Sequence, residues 1–155
     1  MGLQVPSDKN QARAYPNCVH ALLETAISYF QTFSMKKKFY YFKELDPHFE
    51  LAVTALSKLG FEGKALSLEQ FSKDFAWTES LDRESGIVFW SEDHPVTGEI
   101  YDTSELLKRV AEKNTFRIRL SHNKHLFEDL NPTAERNEIR ILQMPPHYID
   151  GCAVA

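Results

Sequence analysis

The chain has 155 residues, 43% of them apolar and 26% charged, with a formal charge of −4 at pH 7. That length predicts one domain with a sizeable core, and the acidic balance excludes a general nucleic-acid binder, which needs clustered Lys and Arg against phosphate. Two cysteines, Cys18 and Cys152, exclude a disulfide framework of the small secreted type, and no apolar run approaches the ~20 residues of a membrane span.

The polar N-terminus has no apolar core of a signal peptide. The expected compartment is therefore the reducing cytoplasm, with delivery into another cell left open. Residues 1–14 lack any period and read as a flexible arm. Residues 15–155 read as a single α+β domain, with N-terminal helices packed on a C-terminal, mostly antiparallel sheet.

The first helix follows Pro16 and Asn17. Asn is a good N-cap, and Val19, Leu22, Leu23, Ala26, Ile27, Phe30 and Phe33 recur at helical spacing. Cys18 then falls at the helix start, where the macrodipole favours a thiolate. The competing reading is a small buried hydrophobe. Lys36, Lys37 and Lys38 read as a solvated turn. Phe39-Tyr40-Tyr41-Phe42 reads as a short strand or a buried helical turn, with base stacking as the functional alternative to core packing. Asp46-Pro47 opens a second helix, with Phe49, Ala52, Val53, Leu56 and Leu59 inward, and Gly60 closes it. Ser67 to Gln70 has the pattern of a capping box for a short third helix.

The period then changes. Residues 86–90, Gly-Ile-Val-Phe-Trp, form a continuous apolar run, expected for a strand buried on both faces. Asp102 and Glu105 cap a fourth helix through Leu106, Leu107 and Val110. Residues 115–120 alternate, with Phe116, Ile118 and Leu120 on one side and Arg117 and Arg119 on the other, as in a strand with one wet face. Residues 125–130 read as a further short strand and 138–144 as the last.

Two functional readings follow. The segment Tyr15-Pro16-Asn17-Cys18-Val19-His20 resembles the nucleophile segment of papain-like cysteine enzymes of the NlpC/P60 kind. Residues 86–91 resemble the strand that precedes their catalytic His. The resemblance implies hydrolysis or transfer at an amide or thioester bond, with Cys18 as nucleophile, His94 as general base and Asp102 as third member. It departs from that pattern at Ile87, where an acidic residue is usual, and at Pro95 after the His.

The alternative is a non-catalytic protein–protein interaction domain of the adaptor, inhibitor or immunity type, in which Arg117, Arg119 and Arg140 present a positive stripe to an acidic partner. Either way a peptide or protein is the expected substrate or partner. No cofactor is expected, since phosphate loops and dinucleotide fingerprints are missing. No metal is expected either, because His122, His125 and Asp129 read better as a surface group than as a zinc set.

Overall fold

The computed structural model describes residues 2–4, 11–13, 15–42, 47–122 and 137–142. Two short strands, β1 (Gly2–Gln4) and β2 (Gln11–Arg13), pair antiparallel with each other. The main body alternates helix and strand: α1 (Cys18–Thr32), β3 (Lys38–Phe42), α2 (Pro47–Lys58), β4 (Glu62–Leu66), α3 (Leu68–Ser72), a 3-10 helix (Phe75–Ser80), β5 (Ser85–Ser91), α4 (Ser104–Glu112), β6 (Phe116–Ser121) and β7 (Glu138–Leu142).

Strands β3 to β7 form one sheet in the order β4-β3-β5-β6-β7, and every neighbouring pair runs parallel. The mostly antiparallel sheet expected from the sequence is therefore corrected to a doubly wound α/β sheet. The physical reason lies in β5. All seven of its residues are buried, so both faces of the sheet must be covered. Helical crossovers between parallel strands achieve that.

Helices α1 and α2 cover one face, packing Leu22, Ala26, Phe30, Phe49 and Leu56 on Phe39, Phe89, Ile118 and Leu120. The aromatic rings nest: Phe39 lies 5.5 Å from Phe89, and Phe30 stacks on Phe61 at 4.2 Å. On the other face α3, the 3-10 helix and α4 place Phe71, Trp77, Leu106 and Val110 over Tyr40, Phe42, Val88 and Trp90. The aromatic run of β3 is thus core, with Phe39 and Phe42 fully enclosed.

Local signals set the helix ends. The Asn17 side chain accepts from the His20 main-chain N–H at 2.9 Å, and the capping box of Ser67 and Gln70 forms in both directions. Gly60 has φ +90°, the left-handed conformation that ends α2. Phe33 and Leu59, assigned inward by periodicity, lie beyond the helix ends and are about half exposed. Asp46 and the 125–130 segment lie outside the described residues. No described helix is long and apolar enough to cross a membrane.

The strand β4 was not anticipated. Its sequence, Glu62-Gly63-Lys64-Ala65-Leu66, has no β-branched residue and lies at the sheet edge. Gly63 is needed there because a Cβ at that position would come within 2.6 Å of the Phe39 ring. Gly63→Ala should therefore destabilise the fold by about 1–3 kcal/mol through overpacking. Urea unfolding of the two proteins side by side reads that difference directly.

Candidate functional site at the carboxyl edge of the sheet

The strand order reverses between β3 and its neighbours: the chain steps outward to β4, then crosses back to β5 and continues through β6 to β7. In open α/β sheets ligands sit outside the carboxyl ends of the strands beside such a reversal. Here β5 and β6 deliver Ser91-Glu92-Asp93 and Ser121-His122 to that edge.

Asp93 and His122 meet there. The His122 main-chain N–H donates to Asp93 Oδ1 at 2.9 Å, and His122 Nδ1 lies 3.2 Å from the same oxygen. The Asp93 side chain is 2% exposed and that of His122 17%. The carboxylate thus holds the imidazole by its backbone and by its ring. Asp93 is itself held by a β-bridge to Ile100, and the intervening turn is closed by Gly98 N–H donating to the His94 carbonyl at 2.9 Å.

A second cluster lies on the face of β5, β6 and β7 opposite α1. Arg119 Nη1 donates to Glu138 Oε1 at 2.7 Å, and Nη2 bonds Glu92 Oε1. Arg140 Nη2 reaches the same Glu92 oxygen at 3.3 Å, and Arg117 Nε lies 3.3 Å from Glu138 Oε2. The Arg119 guanidinium also lies over the Trp90 ring at 6.0 Å. Burial pushes the Glu92 carboxyl above the usual carboxylate range, and the charges of Arg119 and Arg140 pull it back. The wet face expected for Arg117 and Arg119 is accordingly a buried ion network, and Arg140 belongs to it.

The residues of the papain-like reading are placed as follows. Cys18 opens α1 as expected but is 5% exposed, within the cluster of Ala21, Leu22 and Leu120. The last turn of α1 sets Tyr29 on Phe116 at the start of β6, so Cys18 lies toward the carboxyl edge. His94 Nδ1 accepts the main-chain N–H groups of Val96 and Thr97, both at 3.1 Å. Asp102 accepts from the Ser104 hydroxyl and from the Ser104 main-chain N–H, the latter at 3.1 Å, and the hydroxyl first and then the N–H lower its carboxyl pKa. His125, Asp129 and Cys152 lie outside the described residues. Among the described residues no group of three His, Cys, Asp or Glu is arranged to hold a metal.

Glu92, Asp93 and Glu138 were not singled out from the sequence. The available signal was the polar pair Glu92-Asp93 at the carboxyl end of a wholly apolar strand, which becomes informative only once the sheet is known to be parallel.

No family model matches the sequence, and no curated protein does either. Solved structures do match in fold. An inhibitor-bound glycine decarboxylase (P-protein) of the glycine cleavage system superposes with a TM-score of 0.66 at 14% identity, over 89% of this chain and 32% of that one. The sphingosine-1-phosphate lyase of Burkholderia pseudomallei gives 0.51 at 15% identity, over 66% and 24%. An aminotransferase of Neisseria meningitidis gives 0.51 at 14% identity, over 79% and 36%. The chain thus spans about a third or less of each. The likeness concerns the fold, and it overturns the papain-like assignment: the chain shares its architecture with parallel-sheet enzymes of another class, not with cysteine hydrolases.

The ion network makes one clear demand on stability. Arg119→Met leaves the Glu92 and Glu138 carboxylates short of a buried partner, which should cost about 3 kcal/mol. Guanidinium chloride unfolding would report a lower midpoint with an unchanged slope.

Proposed function

We propose that this chain is an α/β domain that takes a small amine-bearing ligand at the carboxyl edge of its sheet. The observation that carries the reading is the buried Asp93 carboxylate gripping His122, at strand ends beside the reversal of strand order. Charge supports the ligand class. Residues 93–104 contain Asp93, Glu99 and Asp102 and no Lys or Arg. Such a loop attracts a cation, and Glu99 and Asp102 are its exposed carboxylates. Two of the structural neighbours, a glycine decarboxylase and an aminotransferase, carry names that specify amine chemistry.

The test is an amide-resolved NMR titration with glycine, with acetate as a carboxylate-only control. Glycine should shift residues 92–102 and 121–122, and Asp93→Asn should weaken the response about tenfold, the effect of one lost charge contact of roughly 1.4 kcal/mol. Equal responses to acetate, or shifts confined elsewhere, would remove this reading.

Reactions at an amine-bearing carbon commonly draw on pyridoxal phosphate as an electron sink, held as a lysine Schiff base with an Asp or Arg at the pyridine nitrogen. Among the described residues of the carboxyl edge, none can form that Schiff base. Residues 92–102 and His122 include no lysine.

A further inference from the structure

We propose that His94 is a proton-operated latch on the loop that leaves β5 at the carboxyl edge. The latch is geometric. The Val96 and Thr97 main-chain N–H groups both donate to His94 Nδ1, at 3.1 Å each. A ring nitrogen that receives two donors carries no proton of its own, so the form that makes both bonds is the tautomer with its proton on Nε2. A second proton can enter only at Nδ1. It would turn the acceptor into a donor and set three N–H groups against one another, so both bonds are lost.

These bonds close the 94–98 turn, together with the Gly98 N–H on the His94 carbonyl and Gly98 at φ +71°. The turn in turn carries the bridge from Asp93 to Ile100. Opening it loosens the loop that flanks the Asp93–His122 pair. The titratable groups of the loop and its neighbours are Asp93 and Glu99 on the loop itself, Tyr101 at its far end, Asp102 before α4, and His122 just beyond β6, which pairs with Asp93. Burial, with Glu99 and Asp93 nearby, holds the Tyr101 hydroxyl above its usual range, so it stays uncharged where histidine titrates. Asp102 is tied to Ser104 and Glu92 to Arg119 and Arg140.

The functional consequence, access to the carboxyl edge governed by pH, rests on the ligand site proposed above; the latch does not. The test therefore reads the loop without ligand. Hydrogen exchange of the Val96 and Thr97 amides, corrected for intrinsic rates, should be at least about tenfold faster at about pH 5 than at about pH 8, the span in which histidine changes charge. The imidazole ¹⁵N shifts should show the Nε2–H tautomer at the higher pH. His94→Asn supplies a side-chain carbonyl that accepts from the same following N–H groups without titrating, so its protection should be the same at both values. His94→Ala should be unprotected at both. Equal protection of the wild type at the two pH values, an Nδ1–H tautomer, or a pH response retained in His94→Asn would overturn the latch. Failure of glycine to bind would leave these results untouched.

Discussion

Strand β5 faces water on neither side, and the architecture follows from that constraint. Its seven residues are all buried. Ile87 and Phe89 enter the core under α1 and α2, while Val88 and Trp90 enter the one under α3, the 3-10 helix and α4. A strand with two apolar faces needs two layers of cover, and short hairpins cannot place helices on both. Crossovers can, and they force neighbouring strands to run parallel. Parallel strands then gather all their carboxyl ends at one edge. The polar residues that end β5 and β6 meet there by topology, although 27 residues separate Glu92 from Arg119 in the chain.

Much of this was legible locally and little of it globally. The helix caps at Asn17 and Ser67, the stop at Gly60 and the two-faced burial of β5 follow from short-range physics, and all appear in the structure. The sheet type did not follow, and β4 explains why. Glu62 and Lys64 are exposed edge residues, and nothing in the segment favours extended backbone except its pairing with β3. With β4 unseen, α1, α2 and α3 look like a helical half ahead of a block of strands, and such segregation suggests an antiparallel sheet. With β4 in place, helix and strand alternate, and the parallel sheet is the natural outcome.

The candidate site was hidden for a related reason. Alternation in β6 assigns Arg117 and Arg119 to solvent if the strand has one wet face, yet they are 2% and 8% exposed. Their partners come from elsewhere in the chain: Glu92 from just beyond β5, Glu138 from β7. Ion pairing across strands depends on register, and register is a property of the assembled sheet. His94 and Asp102 were likewise noticed for their chemistry. In the structure both are engaged within their own loop, His94 through Val96 and Thr97 and Asp102 through Ser104.

The charges of the buried ion network do not maximise stability. Apolar side chains of similar volume often do as well or better, since desolvation offsets most of the Coulomb gain. What the network does supply is discrimination between registers. Along β6 the apolar Phe116, Ile118 and Leu120 alternate with Arg117 and Arg119, and along β7 Ile139 and Ile141 alternate with Glu138 and Arg140. A slip of one residue would turn the guanidiniums into the aromatic core beneath α1 and strip them of Glu92 and Glu138, a penalty far above that of misaligned aliphatic residues. Such pinning matters most at this end of the sheet. Arg119 joins β6 to β5 and β7 at once, and two residues beyond it the chain reaches Ser121 and His122. The register that pairs Arg119 with Glu92 is the one that brings His122 onto Asp93, so the structural cluster and the candidate site are set by one alignment of two strands.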